Sequence, residues 1–295
     1  MKKTVFTGAA TALVTPLTES GIDFENFGKL IDFQIEKGID ALVAVGTTGE
    51  GSTLDDAEHK AAIKFCVERT AGRVPVIAGT GSNDAAYAID LTKYACEVGA
   101  DAMLLVTPYY NKATQKGLVA TFTAIADAST KPCILYNVPS RTGCNLLPAT
   151  MAELAKHPNI VGIKEACGNI SQVAELCALV GDEVAVYSGN DDQIVPVLSL
   201  GGQGVISVLS NIMPAATVKM CRDYMEGNVE SARRAQLDLL PLINALFCEV
   251  NPIPVKAAVA AMGYCDNYVR LPLTVMEEAH EQTLLALMRE QGLIK

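Results

Sequence analysis

Short apolar runs recur about every 20 to 35 residues along this chain, and each is followed by an amphipathic stretch. Continuous apolar runs of this length, rich in β-branched residues, are typical of parallel strands covered on both faces. Eight such units in 295 residues favour an α/β fold with one closed (β/α)8 TIM barrel over an open doubly wound sheet. The predicted strands are residues 8–14, 41–45, 74–78, 102–106, 133–137, 160–164, 184–188 and 204–208.

Helix signals fill the gaps between these runs. Residues 24–38 are amphipathic and stop at a glycine, and the segment after Leu54 is acidic at its start and basic near its end, as a helix dipole prefers. Residues 85–99 and 147–157 follow the same pattern. Residues 214–295 carry helical patterns without a strand signal, so we expect a C-terminal helical extension packed on a barrel of residues 1–213, the two forming one structural unit.

Charge and cysteine usage limit the partners. The formal net charge of −10 disfavours nucleic acid and anionic membrane surfaces as partners. Nine cysteines without a CxxC pair indicate reduced thiols in a cytoplasmic protein. The first 14 residues superficially resemble a signal peptide, but threonines at positions 4, 7 and 11 favour a first strand instead. No run reaches 18 apolar residues, so no transmembrane helix is expected.

The barrel fold predicts where chemistry would occur, because its active sites lie at the carboxyl ends of the strands. Polar residues at those ends are therefore the candidates. They are Thr47, Thr48, residues 107–111, residues 136–141, Lys164, Glu165 and residues 188–192.

Lys164 is the sharpest signal, because it ends the apolar strand of residues 160–164. A lysine must be neutral to attack a carbonyl, and with a pKa near 10.4 only about one side chain in 2,500 is neutral at pH 7. Apolar neighbours such as Val161 and Ile163 lower that pKa by disfavouring the ammonium ion. The sequence therefore predicts a Schiff-base nucleophile; the alternative is a surface lysine or an ion pair with Glu165.

Two further features support carbonyl chemistry, each with a structural alternative. Tyr136 ends the neighbouring strand and could relay protons during imine formation, or could simply be a core tyrosine. The GTTGE segment, residues 46–50, is a tight turn whose N–H groups and threonine hydroxyls could hold a carboxylate, or an ordinary loop. Three histidines at unrelated positions and unclustered cysteines disfavour metal chemistry, so no metal or organic cofactor is expected.

Six motifs occur in order across essentially the whole chain, each at a predicted strand boundary. Together they resemble the dihydrodipicolinate synthase/N-acetylneuraminate lyase family, whose members are pyruvate-dependent lyases and aldolases. The motifs are GTTGE at 46–50, TPYYNK at 107–112, YNVPSRT at 136–142, GIKEA at 162–166, SGNDD at 188–192 and GGQGVIS at 201–207.

The resemblance implies roles for individual residues. Lys164 would form the imine with pyruvate, and Thr47, Tyr136 and Tyr110 would form a proton relay, with Tyr110 reaching into the site of a neighbouring subunit. Thr48 would help to hold the pyruvate carboxylate. Backbone groups of Gly189 and Ile206 would line the pocket. The family also implies a homotetramer in the cytoplasm and catalysis without a cofactor.

Arg141 separates two activities within the family. An arginine there implies an anionic second substrate, L-aspartate 4-semialdehyde, and hence a role in diaminopimelate and lysine biosynthesis. The rival activity is cleavage of N-acetylneuraminate or a 2-keto-3-deoxy sugar acid, and neuraminate lyases usually carry an apolar residue at this position. The alternatives from the residues alone are a surface arginine or a pair with Asp191 or Asp192, and a catalytically silent barrel remains the alternative of a different class.

Inhibition by L-lysine is the last property that the resemblance bears on. His59, Asn83 and Tyr109 match feedback-inhibited members, whereas Gly51, Asp56 and Tyr87 stand where those members carry serine, histidine and glutamate. Replacement of the glutamate by Tyr87 removes a carboxylate that would meet the lysine ammonium. We therefore expect weak inhibition or none.

Overall fold

Eight parallel strands close into a barrel in the structure, a computed structural model that describes residues 2–295. The strands follow one another around the ring in chain order, and the last pairs with the first. They are β1 Gly8–Ala12, β2 Ala41–Ala44, β3 Val76–Gly79, β4 Ala102–Val106, β5 Cys133–Asn137, β6 Ile160–Glu165, β7 Ala185–Ser188 and β8 Gly204–Ser207.

Helices connect the strands and cover the outside of the barrel. They are α1 Phe24–Glu36, α2 Asp56–Thr70, α3 Ala85–Glu97, α4 Gln115–Ala128, α5 Pro139–Thr142, α6 Pro148–Leu154, α7 Ile170–Val180, α8 Ile194–Ser199, α9 Pro214–Met225, α10 Val229–Asp238, α11 Leu240–Ala245, α12 Ile253–Ala261 and α13 Glu278–Glu290. A short hairpin pairs Leu17–Thr18 with Gly21–Ile22, and two 3-10 turns span Asp191–Gln193 and Leu209–Asn211.

The predicted barrel is confirmed, and the physical reason is visible in its two cores. One apolar cluster fills the barrel interior, and a larger one lies between the strands and the surrounding helices. Strands buried on both faces need apolar residues at every position, which produced the continuous runs in the sequence. Local signals also act as expected: Asp55 caps α2 through a reciprocal capping box with Glu58.

The N-terminal segment joins the barrel, since β1 is wholly buried and pairs with both β2 and β8. No helix within residues 2–295 is both long and apolar enough to cross a bilayer. At the other end of the chain, α9 packs on β1 and α12 buries nearly all of its residues.

The register between β5 and β6 positions two of the predicted site residues. Tyr136 lies opposite Lys164, so both side chains point to the same side of the sheet, into the barrel. The register shifts between Cys133 and Ile134, where β6 carries an extra residue, a β-bulge. Val161 is the extra residue, and Gly162 follows it at a tightly packed position, where an added Cβ would lie 3.0 Å from Ala185 O and 3.3 Å from the Tyr187 ring.

Candidate active site

Lys164 and Tyr136 meet inside the carboxyl end of the barrel. Lys164 is only 5% exposed, and its Nζ lies 4.3 Å from the centre of the Tyr136 ring. Both side chains come from adjacent strands in direct register, so their approach is set by the sheet rather than by a loop. Polar groups on strand ends are held more precisely than groups on loops, which suits a catalytic pair.

The Lys164 amine is not tied up in an ion pair. Among residues 2–295, no carboxylate lies within ion-pairing distance of its Nζ. Glu165 faces the opposite side of the strand, where its carboxylate accepts hydrogen bonds from Asn137 Nδ2 (3.1 Å) and Cys167 N (2.8 Å). The alternative in which Lys164 is neutralised by Glu165 is therefore not the arrangement in the structure.

Burial changes the protonation equilibrium of the Lys164 amine. Loss of water around the ammonium ion lowers the pKa of Lys164 to about 8; the charge of Arg141 acts in the same direction and that of Asp191 opposes it. With that pKa about one lysine in ten is neutral at pH 7, against one in about 2,500 for a free side chain. The sequence argument for a lowered pKa is thus supported by the geometry.

The Tyr136 phenol is buried, and burial raises its pKa, while Arg141 and a hydrogen bond with Thr47 act in the opposite direction. A phenol that stays protonated at neutral pH can both donate and accept a proton through its single oxygen. The contact with Thr47 joins the phenol to the GTTGE turn, so two predicted relay residues come together in one chain.

The GTTGE turn follows β2 in a strained conformation. Val45 and Glu50 bracket the two threonines, with φ angles of 56° and 55°. Such left-handed conformations cost about 1–3 kcal/mol each in residues other than glycine, and a β-branched valine adopts them least readily. Gly79, at the end of β3, lets the Val45 carbonyl approach closely, because an added Cβ would lie 2.4 Å from Val45 O. Strain of this kind is found at sites where the surrounding structure holds the backbone in place.

Arg141 lies on the short helix α5 at the rim of the barrel, exposed to solvent. Its Nη2 donates to the carbonyl oxygen of Asn251 at 3.0 Å. No ion pair of Arg141 is formed within the described part of the chain, and Asp191 is buried with its Oδ2 receiving the N–H groups of Val208 and Leu209. The guanidinium is thus placed at the mouth without a carboxylate partner.

Asn251 is a site residue that sequence reasoning missed. Its Nδ2 donates to Thr48 Oγ1 at 3.0 Å while its carbonyl oxygen receives Arg141. The side chain is buried, and its Oδ1 has no hydrogen-bond partner among residues 2–295. A polar residue just before the apolar helix α12 was the available signal, but nothing local in the sequence connects it with the barrel mouth.

A cavity of about 270 Å³ opens at this end of the barrel. Thr47, Tyr136 and Arg141 line it, together with a group that extends towards α2 and α3: Gly51, Ser52, His59, Ser82, Tyr87 and Tyr109. Four of the six positions considered for L-lysine binding, Gly51, His59, Tyr87 and Tyr109, therefore line the same cavity as Thr47, Tyr136 and Arg141. Burial raises the pKa of the Tyr87 phenol, and the nearby negative charge of Asp56 acts in the same direction.

The other predicted residues lie outside the lining of that cavity within the described chain. Gly189 is packed beside the lysine, because an added Cβ would lie 3.1 Å from Lys164 Cε and 2.7 Å from Ala166 Cβ. Ile206 faces the interior of the barrel, paired with Ala10 on β1. Tyr110 is 90% exposed with a φ of 71°, so in a single chain it stands apart from the site.

The assembled groups can support one kind of chemistry well. A buried, partly neutral amine can attack a ketone, an adjacent phenol and hydroxyl can move the protons that imine formation requires, and a free guanidinium at the mouth can bind a carboxylate. Gly189 lies beside Lys164, and its lack of a side chain leaves room next to the amine.

Comparison with known proteins gives matches along nearly the whole chain. The family model described as "Dihydrodipicolinate synthetase family" matches residues 5–291. A protein named 4-hydroxy-tetrahydrodipicolinate synthase from Acetivibrio thermocellus is 54% identical over 294 residues, covering 100% of both chains. One of the same name from Geobacter sulfurreducens is 53% identical over 290 residues, covering 98% of this chain and 100% of the relative.

Solved structures match equally well. A dihydrodipicolinate synthase from Aquifex aeolicus superposes with a TM-score of 0.96 at 43% identity, covering 98% of this chain and 99% of that one. The chloride-inhibited dihydrodipicolinate synthase from Acinetobacter baumannii, complexed with pyruvate, gives a TM-score of 0.95 at 45% identity with the same coverage. The likeness therefore extends over fold and sequence together.

Proposed function

This chain belongs to the dihydrodipicolinate synthetase family, and we propose that it catalyses the Schiff-base condensation of pyruvate with L-aspartate 4-semialdehyde, the reaction of a 4-hydroxy-tetrahydrodipicolinate synthase. It is an enzyme of the class I lyase type, acting in lysine and diaminopimelate biosynthesis. The single observation that carries the proposal is the buried, unpaired Lys164 beside Tyr136 at the end of the barrel.

Lys164 starts the reaction. Its neutral amine attacks the keto carbon of pyruvate, and loss of water gives a protonated imine that withdraws electrons from the neighbouring methyl group. Loss of a methyl proton then gives an enamine. This electron sink is made from the side chain itself, so the mechanism calls for no metal or organic cofactor.

Tyr136 and Thr47 move the protons. Forming the imine requires a proton for the departing hydroxyl, and breaking it requires the reverse transfer. The phenol ring lies against the lysine amine, and Thr47 lines the same cavity, so the two hydroxyls are proposed to pass protons to and from the reacting carbon. Thr48, with Gly189 and Ile206 beside the pocket, is proposed to hold the pyruvate carboxylate.

Arg141 selects the second substrate. Its guanidinium lies at the mouth without an ionic partner in the described chain and can bind the carboxylate of L-aspartate 4-semialdehyde through two parallel hydrogen bonds. The enamine carbon then attacks the aldehyde, and the substrate amine attacks the imine carbon and releases Lys164. A sugar-acid lyase acting on N-acetylneuraminate is the second candidate, but the unpaired arginine favours an anionic partner.

Tyr110 is proposed to complete the relay in trans. It is almost fully exposed in one chain, next to Tyr109, which lines the cavity. A large exposed aromatic side chain in a left-handed conformation is costly for an isolated chain and suits a subunit contact. We propose a homotetramer, a dimer of dimers, working in the cytoplasm. Mixing inactive Tyr110→Phe chains with inactive Lys164→Ala chains should then restore part of the activity, and no recovery after demonstrated subunit exchange would contradict it.

The test of the proposed function is a direct assay of both candidate reactions. The protein should consume pyruvate and L-aspartate 4-semialdehyde together and should not cleave N-acetylneuraminate efficiently. Arg141→Ala should lower kcat/KM for the semialdehyde by about 30- to 1,000-fold, the loss expected for a charge-assisted bidentate contact, with far less effect on imine formation. An Arg141→Ala variant that used the semialdehyde as well as the wild type would favour the sugar-acid lyase.

L-Lysine is expected to inhibit weakly. Tyr87 lines the outer part of the cavity and is engaged with Asp56, so it offers a phenol where an ammonium ion would need a carboxylate. The same assay, repeated with added L-lysine, measures this. An inhibition midpoint well below millimolar would show that other residues replace the missing charge.

A further inference from the structure

A buried ion pair reaches the GTTGE turn from the C-terminal helical extension. Lys256 of α12 places its Nζ 2.6 Å from Glu50 Oε1, and the two side chains are 0% and 1% exposed. Glu50 is the last residue of the turn that carries Thr47 and Thr48. The pair therefore connects residues more than 200 positions apart in sequence at the edge of the candidate site.

Lys256 holds the turn on two sides. Besides Glu50, its Nζ donates to Thr15 O at 2.5 Å, and Thr15 Oγ1 donates to Gly49 O at 2.7 Å. One ammonium group thus fixes the loop after β1 and the loop after β2 against each other. The Thr15 hydroxyl thus holds the Gly49 carbonyl, while the ammonium group holds the side chain of the next residue, Glu50.

The second oxygen of Glu50 is also occupied. Glu50 Oε2 accepts the backbone N–H of Arg270 at 3.2 Å. The guanidinium of Arg270 binds the two carboxylate oxygens of Glu58 and also donates to Thr53 O at 2.9 Å. The carboxylate of Glu50 is therefore enclosed by donors that all come from the C-terminal extension.

The contact matters for catalysis because of the backbone conformation of Glu50. Its φ of 55° is one the residue leaves readily unless its surroundings hold it, and its N–H donates to Thr47 O at 3.1 Å. A shift at Glu50 is therefore passed directly to Thr47, which lines the cavity together with Tyr136. Thr48, between them, makes its own bond to Asn251.

We infer that the Glu50–Lys256 ion pair is a positioning device for catalysis: the C-terminal extension uses it to hold Thr47 and Thr48 in place for the reaction. The inference rests on the proposed function for the roles of the two threonines. Glu50 and Lys256 touch no reacting atom and act through the turn. Apolar residues of similar volume often stabilise a fold as well as a buried ion pair does, so a fixed, directional contact is what this pair supplies.

The decisive variant removes both charges at once, Glu50→Gln with Lys256→Met, so that no unpaired charge is left in the core. A matched control is Glu230→Gln with Arg233→Met, which removes an exposed ion pair on α10 by the same chemistry. Both are compared with the wild type in thermal unfolding, in pyruvate kinetics and in borohydride trapping of the pyruvate imine.

The inference predicts that the buried double variant folds with a near-native Tm, yet loses about 100-fold in kcat/KM for pyruvate, the scale expected when a positioned group moves by about 1 Å. The control should keep wild-type kinetics. Wild-type kcat and KM in the folded buried variant would overturn the inference. A similar loss of kcat/KM in the buried double variant and in the control double variant would also overturn it.

If the double variant does not fold, Glu50→Gln alone is the second variant: it leaves the Lys256 amine without a carboxylate, but it keeps the size of the side chain and an oxygen that can accept from Lys256. If neither folds, the pair is a determinant of folding and the positioning role is rejected. A crystal structure adds a readout that needs no activity: the inference predicts that Thr48 Oγ1 leaves Asn251 in the variant, and an unmoved turn would contradict it. A wild type that traps pyruvate without using the semialdehyde would refute the proposed function and leave this test intact.

Discussion

Two lysines are buried in this protein, and they differ in what surrounds their amines. Lys256 is enclosed by the carboxylate of Glu50 and the carbonyl of Thr15, whereas Lys164 contacts the face of Tyr136 and has no carboxylate within ion-pairing distance in residues 2–295. Burial is nearly equal, 0% against 5% exposed. What surrounds the amine, and not how deeply it is buried, therefore distinguishes the lysine that holds the turn from the candidate nucleophile.

The difference follows from what lies around each amine. A buried carboxylate attracts an ammonium ion, and Lys256 donates to Glu50 Oε1 and to Thr15 O. Without such a partner the desolvated ammonium ion is disfavoured, and the pKa of Lys164 falls to about 8. A single fold thus contains one lysine suited to holding a loop and one suited to attacking a carbonyl.

The strongest test of this comparison is covalent labelling with pyruvate and borohydride. One adduct per chain should form on Lys164 and none on Lys256, because the Lys256 amine is enclosed by Glu50 and Thr15 whereas the Lys164 amine has no carboxylate partner in residues 2–295. Lys164→Ala should abolish the adduct and lower turnover on the order of 10⁴-fold or more, as loss of a covalent nucleophile does. Peptide mass mapping locates the label, and an adduct on Lys256 would break the comparison.

Removing the paired lysine should harm the fold. Lys256→Met leaves the Glu50 carboxylate buried without its cation, which is expected to lower the free energy of unfolding by about 3–5 kcal/mol. Urea unfolding at fixed chain concentration measures it. The control is Lys29→Met, which disrupts an exposed pair with Glu25 and should change stability by about 0.5 kcal/mol or less. Equal losses in the free energy of unfolding would mean that the buried ion pair stabilises the protein no more than the exposed one.

Removing the unpaired lysine should have the opposite effect. At pH 7 the folded protein must either bury an uncompensated ammonium ion or release its proton, so Lys164→Met is expected to raise the free energy of unfolding by up to about 3 kcal/mol. The pKa of this base is lower in the folded than in the unfolded chain. The gain should therefore be complete below pH 8 and should shrink as the pH rises towards 10.5. A destabilised variant at pH 7 would contradict this account.

The smallest expected effect is on the pH profile of the first step. Below the pKa of Lys164 the neutral fraction falls tenfold per pH unit, so the rate of imine formation from pyruvate should rise with pH and level off above about 8. Single-turnover trapping at several pH values measures this dependence of the rate on pH. A rate that levels off only near pH 10.5 would show that the amine behaves as a solvated lysine.

The sequence predicted the barrel and the residues at its strand ends well, because both depend on local patterns. Lys164 and Tyr136 each end an apolar run, and neighbouring runs become neighbouring strands in a barrel. The placement of Lys164 beside Tyr136 follows directly from that order. The predicted catalytic and binding roles of the site residues all remain proposals: those of Lys164, Tyr136, Thr47, Tyr110, Thr48, Arg141, Gly189 and Ile206.

What the sequence did not reveal lies in contacts between distant segments. Asn251 and Lys256 belong to the C-terminal extension, and their partners Thr48 and Glu50 lie about 200 residues earlier. No periodicity or motif connects such positions. The left-handed conformation of Val45 was equally hidden, because a valine at a strand end gives no local signal for it.

The bulge in β6 has a consequence for how this family of barrels could tolerate insertions and deletions. Four steps separate Ile160 from Lys164, so a regular strand would turn both to the same side, yet Ile160 packs against the helices while Lys164 faces the interior. The extra residue at the bulge reverses the alternation of side chains, so Lys164 points to the opposite side of the strand from Ile160. A residue lost at the bulge can be absorbed by the loop before it, but one lost between Ile163 and Glu165 would exchange the amine for a carboxylate inside the barrel.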